Sequence, residues 1–210
     1  MTVVLGDLPL AAALAAALPG PVCVGSASPV EGPWLWRQAD VATGEGVAAL
    51  VVPAKRVFLL CDRRVDGAVE ALARAGGRPT VAVVPRGQVA PPRAGRVEVG
   101  VPWGAEHPLY RAWRDRIRSG RHVFLADLGP IGVTPVAEAV AAATAAMDDV
   151  AAGLPADRSV PGRRTTLDQL VAEVAAPLRR PARTTHLGWW LTCWQAGIDP
   201  APLGAQLRAG

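Results

Sequence analysis

Residues 121–150 of this chain read RHVFLADLGPIGVTPVAEAVAAATAAMDDV. The apolar run at 122–127 predicts a strand, because uninterrupted hydrophobic residues are typical of parallel strands that are covered on both faces. A loop with two glycines follows, and the Thr134-Pro135 pair predicts the start of a long helix. The apolar positions of that helix are spaced by four and three residues: Val136, Val140, Ala143, Met147 and Val150. A buried strand that leads into an amphipathic helix indicates an α/β fold.

The stretches before residue 121 support the same fold class. An apolar strand is predicted at 55–62, a helix at 66–75 and a second strand at 80–84, which together form a βαβ unit with parallel strands. Residues 34–41 and 47–52 flank the sequence TGEG, and this pattern predicts a β-hairpin. The expected fold is therefore α/β: a mostly parallel, mixed sheet with flanking helices, followed by a small helical C-terminal part.

The domain organisation is read from a change in composition near residue 154. Residues 1–153 contain all of the predicted strands and are expected to form an α/β core domain. Residues 154–164 are rich in Gly, Pro and charge without apolar periodicity, so we expect a linker there. Residues 165–210 carry only helical patterns and are expected to form a helical C-terminal subdomain. Its first helix is marked by Thr166 and Gln169, which form a capping box.

Composition and charge exclude several classes of protein. The net charge is +4, but the arginines are dispersed and Lys55 is the sole lysine. Proteins that bind nucleic acid through its phosphates cluster positive charge on one face, so no nucleic-acid partner is expected. The three cysteines lie far apart without the spacing of metal ligands. This usage indicates a reducing compartment and predicts a cytoplasmic protein.

The apolar segment 8–18 is the one stretch that resembles a signal sequence. No Lys or Arg precedes Arg37, and Asp7 occupies the position where a signal sequence needs positive charge. The segment is also shorter than the roughly 20 residues that span a membrane. It is expected to form a first helix capped by Asp7, and no membrane association is predicted.

The loop at 127–135 is the clearest candidate for a ligand site. It joins a predicted strand to a helix start, where open parallel sheets bind ligands and where free N–H groups favour an anion. Gly129 and Gly132 would let a phosphate approach the backbone, beside the hydroxyl of Thr134. Asp127 would bind a metal ion or a ribose hydroxyl. The alternative is that the glycines and prolines serve only the turn, because the loop lacks the lysine of a P-loop and the third glycine of a dinucleotide fingerprint.

A second carboxylate, Asp62, ends the predicted strand 55–62 just as Asp127 ends the strand 122–127. If these strands were neighbours, both carboxylates would face one sheet edge and would suit Mg²⁺ or acid–base chemistry. The competing interpretation is that Asp62 begins a turn and is neutralised by the arginines that follow it. No His, Cys or Ser has the spacing of a metal site or of a catalytic triad, so no metal and no cofactor is predicted.

The densest aromatic patch lies on a helix predicted over 184–196. One face of that helix carries Leu187, Trp190, Leu191 and Trp194. This face would pack on the core, and Trp189 would point away and need a second surface. Tryptophan is enriched at interaction hot spots, so a contact with another protein is expected. The alternative is a hydrophobic cluster that is fully buried within the C-terminal part.

Two hypotheses about function follow. The leading one is a cytoplasmic, non-catalytic accessory protein that contacts a protein partner or a second copy of itself through Leu187, Trp189, Trp190 and Trp194. Enzyme activity is not favoured, because no nucleophile–base pair is found. The alternative is an enzyme or sensor that binds a phosphate- or nucleotide-type small molecule at the junction of strand 122–127 and helix 134–150. Its ligand-binding residues would be Asp62, Asp127, Gly129, Gly132 and Thr134.

Overall fold

The computed structural model describes residues 1–6, 10–61, 65–198 and 200. The chain divides into two compact units, and each unit is built from two segments. Unit 1 comprises Met1–Val99 and Val136–Val160, and unit 2 comprises Gly100–Pro135 and the described residues from Pro161 onward. The predicted linker 154–164 contains one of the three points at which the chain passes from unit to unit. The other two points, after Val99 and after Pro135, lie inside the predicted core domain.

Within the described residues the strands, in chain order, are β1 (Thr2–Leu5), β2 (Val22–Ser26), β3 (Leu35–Gln38), β4 (Arg56–Leu60), β5 (Thr80–Pro85), β6 (Gly95–Val99), β7 (Val101–Trp103), β8 (Val123–Leu125), β9 (Ile131–Pro135), β10 (Asp157–Ser159), β11 (Arg163–Thr165) and β12 (Thr184–His186). The helices are α1 (Leu10–Ala17), α2 (Val47–Val51), α3 (Asp66–Arg74), α4 (Pro108–Arg118), α5 (Val136–Ala151), α6 (Leu167–Ala175) and α7 (Trp189–Trp194), with a 3₁₀ turn at Ala176–Leu178.

Unit 1 is built on a seven-stranded sheet in the order β10–β6–β5–β4–β1–β2–β3. Each neighbouring pair of strands in this sheet is parallel. The central strands are short runs of Val, Leu and Phe that are buried on both faces, as the burial of β2, β4 and β5 shows. Such runs form parallel strands because helices cover both sides. The predicted α/β class with a mostly parallel sheet and a small helical C-terminal part is confirmed.

Helices cover the two faces of this sheet and produce three layers. On one face α1 and α5 bury Leu10, Leu14 and Met147 against strand residues that include Phe58. On the other face α2 and α3 bury residues such as Val47 against strand residues. Burial of side chains of this size contributes about 1.5–3 kcal/mol each, so the two hydrophobic layers hold the sheet in place.

Two local expectations in unit 1 had opposite outcomes. The βαβ unit is confirmed, since β4 and β5 pair in parallel and α3 lies between them in the chain. The predicted hairpin at 34–52 is wrong, because β3 pairs in parallel with β2 and residues Val47–Val51 form helix α2. The buried positions of α2 are Val47, Leu50 and Val51, at helical rather than alternating spacing.

Unit 2 contains two small sheets, β11–β9–β7 and β12–β8, together with α4, α6 and α7. Helix α4 carries an apolar stripe of Leu109, Trp113 and Ile117, spaced by four residues, and all three are buried in the core of this unit. The predicted capping box of α6 is confirmed, with Thr166 and Gln169 each bonding to the backbone of the other.

The helix predicted over 184–196 is shorter in the structure. Thr184–His186 forms β12, which pairs in parallel with β8, and α7 covers only Trp189–Trp194. The β-branched side chains of Thr184 and Thr185 favour the extended conformation that the pairing needs. In the part of the chain that is described, no helix combines the length and the apolar character needed to cross a membrane.

Candidate functional site

The carboxyl edge of the unit 1 sheet has the geometry of a ligand site. From β1 the chain continues outward through β2 and β3 on one side, and from β4 it continues through β5, β6 and β10 on the other. The direction of the strand order therefore reverses between β1 and β4. In open parallel sheets the helical connections leave a crevice at such a reversal, beyond the carboxyl ends of the strands, and ligands bind there.

Gly6 lies at this reversal, immediately after β1. Its φ is +124°, which a residue with a side chain rarely adopts. A Cβ added to Gly6 would lie 2.8 Å from Leu60 Cβ and 2.9 Å from the Leu60 carbonyl oxygen at the end of β4. The Gly6 N–H donates to the Gly25 carbonyl on β2, at 2.9 Å. Glycine is thus required where the chain turns from β1 toward α1, between two neighbouring strands.

Ser26 occupies the carboxyl end of β2 and is buried, with 1% of its surface exposed. Its hydroxyl donates to the Ser28 carbonyl at 2.6 Å and accepts from Trp36 Nε1 at 2.9 Å. The loop from Ser26 to β3 is therefore closed by a side-chain network, and Ser26 is fixed by contacts within the protein.

Arginines lie near the carboxyl ends of strands on both sides of the reversal. Arg37 is in β3, paired in register with Gly25, and its side chain is exposed. Arg86 directly follows β5, and its Nε lies 3.7 Å from the Glu98 carboxylate. Arg86 is thus paired with Glu98, whereas no ion pair of Arg37 is found among the described residues.

Two thiols belong to the same sheet, Cys23 in β2 and Cys61 just after β4, and both are buried. Burial raises the pKa of the Cys23 thiol, and the nearby Arg37 charge opposes that shift. A buried thiol with a raised pKa is a poor nucleophile, because the reactive form is the thiolate. Cys23 therefore acts as a small hydrophobic residue in the core.

The ligand loop predicted at 127–135 lies in unit 2 and is not continuous with the large sheet. Asp127 and Gly129 are exposed, and no atom lies within 4 Å of a Cβ added to Gly129. Gly132 and Thr134 are inside β9, where Gly132 pairs with Arg164. Thr134 is fully buried, and its hydroxyl accepts a hydrogen bond from the Gly100 N–H at 2.8 Å. The structure therefore places the four residues in two different settings, an exposed turn and a buried strand.

The expected convergence of Asp62 and Asp127 depended on their strands being neighbours. The two strands belong to different sheets, since β4 is central in the seven-stranded sheet and β8 pairs with β12 in unit 2. The condition for that convergence, that the two strands be neighbours, is therefore not met. Asp62 itself lies outside the described residues. Among the residues that are described, no group of three or more His, Cys, Asp or Glu side chains could hold a metal ion.

His107 is a buried titratable residue of unit 2, with 4% of its surface exposed. Its Nδ1 accepts from the Leu109 N–H at 3.2 Å and so caps α4, and its ring lies 5.0 Å from the ring of Trp103. Burial, helped by the Arg111 charge, lowers the pKa of His107 to about 4. The ring is neutral at neutral pH and serves the start of the helix, as its position before Pro108 predicts.

The tryptophans of α7 are oriented differently from the prediction. Trp190 and Trp194 are 61% and 65% exposed, and Leu187 is 41% exposed. Trp189, expected to point outward, packs partly on the unit 2 core and donates from Nε1 to the Pro200 carbonyl at 2.9 Å. The core-facing positions are instead Thr192 and Cys193. The assignment of the buried face is therefore wrong, and contact with a partner or a second copy stays a prediction.

The strand order β3–β2–β1–β4–β5–β6, the glycine after β1 and the helices on both faces define a Rossmann-type α/β fold. Solved structures with the same fold include the Thermus thermophilus UDP-glucose 4-epimerase in complex with NAD, with a TM-score of 0.65 and 15% identity over 100% of this chain and 98% of that chain. A partial-consensus L-threonine 3-dehydrogenase matches with a TM-score of 0.66 and 12% identity over 100% and 93% of the two chains.

A third similar structure is the Escherichia coli NADPH-dependent quinone oxidoreductase in complex with NADPH, with a TM-score of 0.58 and 15% identity over 99% of this chain and 87% of that chain. No protein-family model matches the chain. A comparison with curated proteins finds no match.

These neighbours contradict the prediction of a non-catalytic accessory protein, since their descriptions are those of epimerases, dehydrogenases and reductases. That prediction depended on the absence of a catalytic motif in the sequence. The sequence analysis also did not identify Gly6 and Ser26 as candidate site residues, because β1 was not recognised as a strand. The available signal was the sequence TVVLG followed by an apolar helix, which is the beginning of a βαβ unit.

Proposed function

We propose that this chain is an enzyme that binds a phosphate- or nucleotide-type small molecule at the carboxyl edge of the unit 1 sheet, beside Gly6. The observation that carries the proposal is the reversal of strand order between β1 and β4, where Gly6 adopts a φ of +124°. This position replaces the junction of strand 122–127 and helix 134–150 as the candidate site, because β8 and β9 are not strands of the large sheet.

The charge of the edge supports an anionic ligand. Arg37 has an exposed guanidinium, and within the described residues no carboxylate forms an ion pair with it. Arg86 lies on the other side of the reversal. Guanidinium groups bind phosphate in a bidentate manner, and a positive cleft raises the rate at which anions arrive.

The neighbours support enzymatic activity, since each of the three solved structures named above is an enzyme by its description. All three cysteines of the chain carry buried thiols. This supports a reducing compartment, the cytoplasm, as the place of action.

The test is a thermal-shift screen with nucleoside mono- and diphosphates, nucleotide sugars and sugar phosphates. A ligand at 100 times its Kd stabilises the folded state by about 2.7 kcal/mol. For a chain of this size that corresponds to a rise in Tm of about 5–10 °C. A screen in which no phosphate-bearing compound raises Tm would contradict the proposal.

A pair of matched variants locates the site. Arg37→Gln removes a cation from the carboxyl edge and is expected to weaken the binding of a phosphate-bearing ligand by about threefold to tenfold. Arg74→Gln is the control, because Arg74 is the last residue of α3 and the chain continues from there to the amino end of β5, not to its carboxyl end. Equal Kd values for Arg37→Gln and the wild type, measured by isothermal titration calorimetry, would place the ligand elsewhere.

A further inference from the structure

Unit 2 contains an open groove of about 480 Å³ between α6 and the segment that follows it, residues 179–184. We call it the α6 groove. Pockets that hold small molecules have volumes of about 300–1,000 Å³, so the groove has the size for a small ligand. Most of its lining is apolar and consists of Val171, Ala172, Ala175, Ala176, Pro181 and Ala182.

The remaining lining residues are polar and lie toward the two ends of α6. Asp168 belongs to the first turn of the helix, whereas Arg179 and Arg180 follow the 3₁₀ turn at its far end. Arg179 adopts a φ of +52°, a left-handed conformation that residues with a side chain rarely take. Glycine would occupy this position at the end of a helix without strain, and strained residues cluster at sites of function.

The two arginines have no carboxylate partner. Among the described residues, the arginines that form ion pairs with carboxylates are Arg56, Arg74, Arg86, Arg96, Arg114, Arg158 and Arg163. Arg180 donates from one nitrogen to the Arg118 carbonyl at 2.6 Å, and both guanidinium groups are exposed. Asp168 is engaged at the other end, where its Oδ1 lies 3.2 Å from His186 Nε2. One end of the groove therefore carries positive charge that the described carboxylates do not balance.

Further arginines surround the same end of the groove. The Arg118 carbonyl binds Arg180, and the Arg183 carbonyl accepts a hydrogen bond from the first residue of β8, at 2.8 Å. Burial lowers the pKa of Arg116 at the end of α4, and the charge of Arg121 lowers it further. Like charges thus accumulate beside the groove. A positive surface of this kind raises the local concentration of anions.

We infer that the α6 groove binds a small organic anion with an apolar body, whose carboxylate or phosphate group is held by Arg179 and Arg180. Guanidinium groups bind both oxyanions with paired, charge-assisted hydrogen bonds. The hydrocarbon part of the ligand lies along the alanines of α6, whose small side chains leave room for it. The site belongs to unit 2, and it is independent of the proposed phosphate site at the sheet edge of unit 1.

The first experiment is calorimetric titration of the full chain with decanoate, decyl phosphate, decyltrimethylammonium and acetate, each below the concentration at which it forms micelles. Decanoate or decyl phosphate is expected to bind with a Kd of about 0.1–1 mM, and the comparison of the two identifies the preferred head group. The cation of the same chain length should bind at least about tenfold more weakly. Acetate lacks the apolar body and should not saturate, because each buried methylene strengthens binding by about twofold to fourfold.

Variants and amide shifts locate the bound anion. Arg179→Asn keeps a residue that tolerates the left-handed conformation and should weaken decanoate binding by at least about threefold. Arg164→Asn is the matched control, because Arg164 is an exposed arginine of β11 that does not line the groove. Ala172→Glu places a carboxylate in the groove and should weaken binding more than Ala172→Gln, which has the same size without the charge. In wild-type protein, decanoate should shift the amide signals of Ala172, Ala175 and Thr184.

Each result decides the inference. It is overturned if neither anion saturates by about 5 mM, or if decyltrimethylammonium binds as tightly as decanoate. Equal decanoate affinity in Arg179→Asn and the wild type also overturns it. If the variants do not fold, as judged by circular dichroism, the wild-type amide shifts decide, and shifts confined to residues outside the groove refute the site. Arg37→Gln should leave decanoate binding unchanged, so the proposed function and this inference are tested separately.

Discussion

Substitution of Gly6 by alanine measures how tightly β1 and β4 meet at the reversal of the sheet. The new Cβ would lie 2.8 Å from Leu60 Cβ and 2.9 Å from its carbonyl oxygen, so neither neighbour is the flexible end of a side chain. Overpacking of this kind costs about 1–3 kcal/mol. The positive φ of +124° adds a backbone cost of about 1–2 kcal/mol. The free energy of unfolding is expected to fall by about 2–5 kcal/mol in total.

Gly20→Ala is the control that separates the two costs. Gly20 also has a positive φ, +78°, but no atom lies within 4 Å of an added Cβ. It should lose only the backbone component, about 1–2 kcal/mol. Urea denaturation followed by far-ultraviolet circular dichroism gives both values. If Gly6→Ala and Gly20→Ala differ by less than about 0.5 kcal/mol, the close approach of β1 and β4 at Gly6 is refuted.

Two further perturbations test unit 2. The folded protein holds His107 neutral with a pKa of about 4, whereas an unfolded histidine takes up a proton below about pH 6.5. The stability that the neutral ring contributes is therefore complete above pH 6.5 and is lost as the pH falls toward 4. The free energy of unfolding should drop by about 2 kcal/mol between pH 7.5 and 5, and His107→Asn, which keeps a capping oxygen, should remove that part of the slope. Gln195 accepts from the Phe124 N–H at 3.0 Å and donates to its carbonyl at 2.6 Å. Gln195→Leu should therefore cost about 2 kcal/mol, and Gln195→Glu should cost at least as much, because a carboxylate oxygen would face the Phe124 carbonyl to which the amide donates. A Glu variant as stable as the wild type in urea titrations would argue against the paired bonds.

Local sequence patterns correctly predicted those elements that depend mainly on residues close to one another in the chain. The spacing of Leu109, Trp113 and Ile117 indicates that one face of α4 is buried, and this does not depend on which residues cover that face. The capping box of Thr166 and Gln169 is satisfied within a single turn of helix. Helix α5 likewise follows its own apolar spacing. These signals depend on neighbours three or four residues away, so the sequence carries them directly.

Strand β1 could not be recognised in the same way. Thr2–Leu5 has four residues, too few for a period to be visible, and it becomes a strand through its pairing with β2 and β4. Because β1 was missing, the turn at Gly6 had no strand before it, and the fingerprint that begins there is interrupted by Leu8. The candidate site was therefore sought at the predicted junction of strand 122–127 and helix 134–150.

That junction illustrates what local patterns do not encode. The composition of the segment around Asp127 predicts a direct passage from strand to helix, but the segment lies between two strands, β8 and β9, and helix α5 begins only after β9. Membership of a sheet is decided by distant partners, and here β8 pairs with β12 and β9 pairs with β7 and β11. The same holds for Thr134, whose hydroxyl is used by Gly100, 34 positions earlier in the chain.

Unit 1 is built from two separate segments of the chain, and this affects how it can fold during synthesis. When the ribosome has released residue 99, six strands of the large sheet exist, but α5 and β10 do not. The apolar side chains of Val81, Val83 and Val97, which α5 helps to cover, remain in water until residues up to 160 emerge. At bacterial and eukaryotic elongation rates that interval is roughly 3–12 s, long enough for exposed strands to associate with other chains. Nascent polypeptides arrested shortly after residue 99 should therefore require a chaperone, and those arrested well beyond residue 160 should not.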